Sequence, residues 1–579
     1  MRVMIAKNAG FCMGVKRAMD IVLDTANKAS KEEPVYTDGP LIHNPQVLEF
    51  LEQKGISVLD EDTNPDGINV VIRAHGIKPD RKEKIENSGA KVCDATCPNV
   101  KSVQVIIKRY AAQGYSTVIV GDKGHAEVDG LLGYTGDNGY VVENVDDISK
   151  LPEMEKVCVV SQTTQCKEVF NQVAEILKEK HKECKVFATI CSSTSKRQKD
   201  IVDLSKEVNA MVVVGGRNSA NTKRLAEISE TYLPTFLIET EEELDMKKLM
   251  RYGLIGVTAG ASTPNWMINR VVNKIESCNQ DTGSTASKYI HNFGRFMIGS
   301  GFYLGIGAGF MSYANTVLLN IKPQLFFCII AFLFIFSLYM FNNLANKESI
   351  EFNEPQKAKY YDKHHRLFLG LGIGGAVLSI ILASFVNIPV FLCLLFSAVL
   401  GILYSLKINP KKIPKFIKYN SLAQIPGSKE IFSSIAWAVC TSLILFFGNM
   451  TNSISELVVA FAFTFSISFI RGVFLGIKEM QGDRLVGKET IPVAIGKEKA
   501  KQLLAIISFF TGILLIISPI VGWTSNFSLF LLPCIAYACS YLYLFHKRIL
   551  RNGMLCEALA DLNFLLAGIM AYVWQICQI

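Results

Sequence analysis

Beyond about residue 290 the chain carries nine long apolar stretches, centred near Leu304, Phe332, Gly375, Phe396, Ala438, Phe463, Ile513, Ala536 and Ile569 and broken by short basic loops. A membrane-spanning helix needs roughly 20 apolar residues. So many uncharged runs have nowhere to pack in a soluble core, because lipid or other spans must cover them. This half is expected to be an all-α polytopic membrane domain with about nine transmembrane helices. Lys and Arg cluster before the first stretch (Lys288, Arg295), after the second (Lys357, Lys359, Lys363, Arg366) and after the fourth (Lys407, Lys411, Lys412, Lys415, Lys418). They return after the sixth (Lys478, Arg484, Lys488) and the eighth (Lys547, Arg548, Arg551), and Lys322 is the exception to the alternation. The positive-inside rule then places the preceding soluble half and every basic loop in the cytosol, in a multi-pass protein of the cytoplasmic membrane. The net charge of +8 is largely this juxtamembrane excess and calls for no nucleic-acid partner.

The first half reads as a soluble α/β protein. No secretory signal opens it, since Met1–Ala6 reads as a short strand leading to Gly10-Phe11-Cys12 and an amphipathic helix. Three β-branched runs are each followed by glycine and polar residues: Val70-Val71-Ile72-Arg73-Ala74-His75, Val118-Ile119-Val120-Gly121-Asp122-Lys123-Gly124-His125 and Met211-Val212-Val213-Val214-Gly215-Gly216. Buried parallel strands read this way, and their carboxyl ends are where open α/β sheets bind ligands. Three such units suggest three small lobes around a shared site. The polar residues after these and related strands are His43, His75, His125, Glu127, Thr163, Ser219, Asn221 and Ser262. Any one of them is ordinary turn and cap chemistry. As a set they are hydrogen-bond donors suited to phosphate oxygens.

Fifteen cysteines in a reducing compartment are not a disulfide framework. Cys12, Cys97 and Cys191 stand at loop-to-helix junctions, where a thiolate gains from backbone N–H groups and the helix dipole. Cys93 precedes Cys97 in a C-x-x-x-C pair but falls on a strand. Three thiolates and an open position suit zinc or an iron–sulfur group. The residues alone leave both open.

Nine short tags from Met1 to about Ile275 run in order: G-F-C-x-G-V, L-I-H-N, A-H-G, D-A-T-C-P, G-H-x-E-V-x-G, S-Q-T-T, T-I-C, N-S-A-N-T and T-A-G-A-S-T-P. This series resembles the 4-hydroxy-3-methylbut-2-enyl diphosphate reductase family. The resemblance implies a three-lobed α/β trefoil over residues 1–280 and a [4Fe–4S] cluster held by Cys12, Cys97 and Cys191. It implies reductive removal of an allylic hydroxyl, giving isopentenyl and dimethylallyl diphosphate, with a ferredoxin or flavodoxin as electron donor. Glu127 matches the family's proton-relay carboxylate and Thr163 its relaying hydroxyl. His43, His75, His125, Ser219, Asn221 and Ser262 match the diphosphate pocket. One departure is Ala220, where the family often has serine.

Residues 281–294 read as a polar linker, and 295–579 as the membrane domain. After the sixth stretch, Glu479-Met480-Gln481-Gly482-Asp483 places two carboxylates one helical turn apart, able to hold Mg²⁺ against a diphosphate. With Gly487, Thr490 and Pro492, the segment resembles the second aspartate-rich motif of the UbiA-type intramembrane prenyltransferases, with Glu479 for the first aspartate. That resemblance implies transfer of a prenyl group from its diphosphate to an acceptor. Lys429 and Arg471 fall near cytosolic ends, where they either steady the diphosphate or serve as interfacial anchors. The family's first motif falls at Asn342, Asn343 and Asn346 and ends at Ile350, so its three aspartates are missing. Nearby Glu348, Glu351 and Glu354 substitute only if the loop is rearranged. Two expectations therefore stand: an active transferase, or a non-catalytic membrane module that binds prenyl lipid and anchors the reductase.

Overall fold

The computed structural model describes residues 2–29, 33–60, 65–281, 293–405, 425–449, 453–486, 488–547 and 554–577. The chain divides into two compact units, Met1–Thr282 and Gly283–Ile579. The expected linker lies, from 282 to 292, outside the described residues, as do the basic residues Lys407–Lys418, Arg548 and Arg551.

Strands and helices alternate through the first unit, which forces parallel pairing, and three four-stranded parallel sheets result. One sheet has the spatial order Ile56–Val58, Val35–Asp38, Asn69–Ile72, Lys91–Asp94. The next runs Gly139–Val142, Ser116–Val120, Lys156–Ser161, Glu183–Val186. In both, the order along the sheet is second, first, third, fourth. The last sheet repeats it as Thr235–Ile238, Ala210–Val214, Leu254–Ala259, with Arg2–Ile5 as its fourth strand. The chain's first strand thus completes its last lobe.

The three lobes expected from the β-branched runs are present, but those runs are not equivalent. Asn69–Ile72 is the third strand of its lobe, whereas Ser116–Val120 and Ala210–Val214 are first strands; the true counterpart of these is Val35–Asp38. First and third strands both lie at the centre of their sheets, buried on both faces, and so read alike. Val118, Val120, Val157 and Val159 pack on Phe170, Val173 and Leu177 of helix Lys167–Lys180, which shows how each sheet is closed by its own helices.

The second unit is helical. Seven of its described helices are long and apolar enough to cross a membrane, from Leu325–Ala345 to Met554–Cys577, and Ile388–Tyr404 is a shorter apolar helix. Among the described residues two of the nine stretches fall short: the one near Phe396 is the shorter helix Ile388–Tyr404, and the one near Leu304 forms a helix of only 17 residues. Gly301 takes a left-handed backbone (φ 76°) ahead of helix Phe302–Leu318. A Cβ there would meet the Tyr339 ring at 2.3 Å, so glycine is required. Many large apolar side chains, such as Phe385, Ile520 and Ile388, face outward, as lipid-facing residues do. Inside, Trp437 stacks on Phe564 with ring centroids 4.0 Å apart. A π-helical turn at Val439–Leu443 leaves the Thr441 carbonyl to accept from Asn315 Nδ2 at 2.9 Å, and the same amide reaches Thr464 Oγ1.

Candidate active site

Each lobe of the first unit delivers three residues to one cavity, from the same three places. The loop after the fourth strand ends in a cysteine that caps a helix: Cys97 before Pro98–Ala111, Cys191 before Ser192–Ser205 and Cys12 before Met13–Lys28. The segment after the third strand carries His75, Thr163 and Ser262. The segment after the first strand carries His43, His125 and Ser219. All nine line one cavity together with Glu127, Asn221 and Ala220. Within each lobe the cysteine N–H donates to the segment after the third strand: Cys97 to Ala74 O at 2.9 Å, Cys191 to Thr163 O at 2.9 Å and Cys12 to Ala261 O at 3.1 Å. These bonds fix each sulfur at the carboxyl end of a central strand.

The sulfurs share a wall. An added Cβ on Gly14 would lie 2.5 Å from Cys97 Sγ and 3.8 Å from Cys12 Sγ, so the chain keeps a side chain out from between them. Burial raises the Cys97 pKa, and the neighbouring Cys12 and Cys191 raise it further against the backbone N–H groups of Asn99 and Val100. A bound cationic group would relieve that mutual repulsion. Thiolates around one zinc ion lie about 3.8 Å apart, for bonds of roughly 2.3 Å. Among the described residues, the set whose ligand atoms all fall within 4.8 Å is His43, His75 and His125, not the three sulfurs. Three soft thiolates on one wall fit an iron–sulfur group. Gly14→Ala is expected to lower the metal bound per purified chain while leaving the circular dichroism unchanged, because the added methyl meets Cys97 and not the core.

The three histidines form a compact triangle with ring centroids 4.7 to 5.5 Å apart. Burial, with His125 and Arg73 nearby, pulls the His43 pKa down to about 4; burial likewise lowers His75 and His125, so all three are neutral at pH 7. His125 Nδ1 accepts from the Glu127 N–H at 3.1 Å, which places its proton on Nε2. His43 Nε2, His75 Nδ1 and Asn221 Nδ2 are buried and make no hydrogen bond. Ser262 Oγ donates to His43 O at 3.3 Å and lies 3.5 Å from Ser219 Oγ, joining two lobes. A pocket of unspent donors of this kind is built for an anion.

The same cavity is lined by a buried acid. Glu127 accepts from Thr163 N at 2.7 Å and from Thr163 Oγ1 at 2.9 Å. Burial raises its pKa to about 7, outweighing both hydrogen bonds. The carboxyl is thus poised to give and take a proton near neutral pH.

Sequence reasoning missed Arg17, Asn99 and Arg197. Asn99 Nδ2 donates to Cys191 Sγ at 3.0 Å. Arg17 Nη1 donates to Thr96 O at 3.1 Å, tying the Cys12 helix to the Cys97 loop. Arg197 Nη2 donates to Gly10 O at 2.5 Å, tying the Cys191 helix to the Cys12 loop. Each follows a cysteine by a few residues on its helix, the one signal available beforehand.

In the second unit the two motif segments meet. Ser349 Oγ donates to the fully buried Asp483 Oδ1 at 2.6 Å, and Asn353 Nδ2 to Glu479 O at 3.3 Å. Lys429 Nζ is 3.5 Å from Glu479 Oε2. Asn346 Nδ2 donates to Asn342 Oδ1 at 2.6 Å and Asn343 Nδ2 to Tyr361 OH at 2.7 Å. Glu354 pairs with Lys478 and with Lys357, 3.7 Å away, and Glu557 with Lys357 at 3.0 Å. Arg471 pairs with Asp561.

Residues 3–276 match the LytB protein family and residues 364–559 the UbiA prenyltransferase family. The 4-hydroxy-3-methylbut-2-enyl diphosphate reductase of Caldanaerobacter subterraneus is 44% identical over 281 residues, 48% of this chain and 97% of that protein. Its namesake from Clostridioides difficile is 39% identical over 280 residues, 48% of this chain and all of that protein. A solved (E)-4-hydroxy-3-methyl-but-2-enyl diphosphate reductase is 41% identical, covering 48% of this chain and all of that one, with a TM-score of 0.39. A solved UbiA homologue from Archaeoglobus fulgidus, bound to GPP and Mg²⁺, is 16% identical over 48% of this chain and 98% of its own, with a TM-score of 0.37. By its first unit, matched along nearly the whole length of these relatives, the chain belongs to the 4-hydroxy-3-methylbut-2-enyl diphosphate reductase family of oxidoreductases, and it carries a UbiA-type multi-pass membrane domain behind it.

Proposed function

We propose that residues 1–280 reduce 4-hydroxy-3-methylbut-2-enyl diphosphate to isopentenyl and dimethylallyl diphosphates, consuming two electrons and two protons and releasing water. The observation that carries this reading is the threefold delivery of cysteine, donor and donor to one cavity, which the Glu127–Thr163 pair also lines. Cys12, Cys97 and Cys191 would hold a [4Fe–4S] group, which when bound supplies the electrons and a Lewis-acidic position. The protein's own residues do the rest. His43, His75, His125, Ser219, Asn221 and Ser262 hold the diphosphate and exclude water. Each histidine offers the anion at least one N–H. Protonated Glu127 donates to Thr163 Oγ1, which turns its own proton to the substrate alcohol, so that the oxygen leaves as water. A ferredoxin or flavodoxin is the expected electron source. Full-length protein isolated anaerobically in detergent, given a chemical reductant and this substrate, should form both five-carbon diphosphates; no conversion by iron-replete protein overturns the reading.

For the second unit, the amides of Asn342, Asn343 and Asn346 and the lysine-bound Glu354 favour a non-catalytic role. The first-motif positions themselves offer Mg²⁺ no carboxylate, while Asp483 and Glu479 remain for the metal and Lys429 for a prenyl diphosphate. This half would anchor a cytosolic reductase at the cytoplasmic membrane and bind prenyl lipid. In nanodiscs with Mg²⁺, prenyl diphosphates of five to twenty carbons should bind without releasing pyrophosphate. Mg²⁺-dependent release that disappears in Asp483→Asn would establish transfer instead.

A further inference from the structure

We propose that Arg197 is a positioning residue that supplies the counter-charge for the three-sulfur site and raises its reduction potential, an inference that rests on the reductase reading. Arg197 is only 4% exposed, lines the same cavity as Cys12, Cys97 and Cys191, and joins two of their segments. Its Nη2 donates to Gly10 O two residues before Cys12; its Nη1 donates to Ser193 O at 3.2 Å, two residues after Cys191. Its charge acts on Cys12 and Cys191 before it acts on any carboxylate, Asp200 coming third. Asp200 itself is engaged by Asn8, which donates from backbone and side chain at 2.7 and 2.8 Å. Among the described residues no carboxylate lies within ion-pair distance of the guanidinium, and its Nε is buried and makes no hydrogen bond. A buried cation without a paired anion is costly and is retained where an anion is expected. Here the anions are thiolate sulfurs.

The physical consequence has a definite sign. Adding an electron to a group held by three thiolates increases its negative charge, and a fixed buried cation stabilises the reduced form more than the oxidised one. Arginine suits this better than lysine for geometry, because its fork meets two carbonyl groups while its charge stays delocalised. Either side chain supplies the charge.

The test is the midpoint of the iron–sulfur group, read by potentiometric titration with electron paramagnetic resonance on full-length protein in detergent. Arg197→Gln and Arg197→Lys are compared with wild type, together with iron content. Arg197→Gln should load iron but shift the midpoint negative enough to lower the reduced-to-oxidised ratio tenfold at the wild-type midpoint, which is about 59 mV for one electron. Arg197→Lys should recover most of the shift. An unmoved midpoint in an iron-loaded Arg197→Gln overturns the proposal, as does an equal shift in both variants, which would assign the effect to the hydrogen bonds. Failure of both variants to load iron would show a purely structural tie and also overturn it; failure of Arg197→Gln alone, with Arg197→Lys loaded, supports it. Wild-type protein with no iron–sulfur signal would sink the reductase reading itself, whatever the variants do.

Discussion

Cys97→Ser should abolish turnover, with a loss greater than the roughly 10- to 100-fold that follows removal of an outer-shell residue at a metal site. The expectation comes from the position of this sulfur. It belongs to the middle of the three cysteine loops, beside Gly14 and within reach of the charges of both other cysteines. Serine keeps the backbone N–H bond to Ala74 and is itself a favoured residue at a helix start, so the lobe still folds. What it loses is the soft, readily ionised ligand that iron prefers. Iron and sulfide analysis of anaerobically purified protein, with turnover on the same sample, checks this. Full activity in the serine variant would mean that the three sulfurs are not the redox centre.

Glu127→Gln should lower the rate by a factor on the order of 10² to 10⁴, the range for a positioned general acid. Glutamine keeps the shape and can still meet Thr163, so cavity and cofactor content should survive. The pH profile carries the sharper sign. Glu127 has a raised pKa of about 7, so its donating form dominates below that value and is lost above it. The wild-type rate should therefore fall as pH rises through about 7, and that limb should vanish in the glutamine variant. Stability follows the same linkage. The folded state holds this proton where the unfolded chain has released it, so stability declines between about pH 4.5 and 7 and then levels. A variant that retained both rate and limb would place the proton donor elsewhere.

Much of this site was legible because its residues sit where chemistry overrides local structure. Polar and glycine-rich segments directly after apolar β-branched runs stand out, and so do cysteines at helix starts. The lobes were legible as a number but not as an alignment. Asn69–Ile72 and Ser116–Val120 share a pattern because both are sheathed on two faces, although they hold different places in their sheets. That Arg2–Ile5 completes the last sheet depends on a pairing across some 250 residues, which no local pattern records. Arg197 was illegible for a related reason, since an arginine on an amphipathic helix reads as solvated until the fold closes over it. In the membrane half, hydropathy revealed the spans but not the left-handed turn at Gly301 that shortens one of them. Nor did it reveal that Lys478 and Lys357 converge on Glu354, occupying one of the three acids that follow the missing aspartates.

The three cysteine loops lie far apart along the chain, at positions 12, 97 and 191, yet end at one wall. Any group that bonds all three sulfurs becomes a cross-link closing two loops of about 85 and 94 residues. In chain-entropy terms each such closure is worth on the order of 4 to 5 kcal/mol, as for a disulfide spanning a similar distance. The redox centre would then also be the clamp of the trefoil. Oxidative loss of the metal would slacken all three lobes together, and oxygen sensitivity would register as unfolding as well as inactivation.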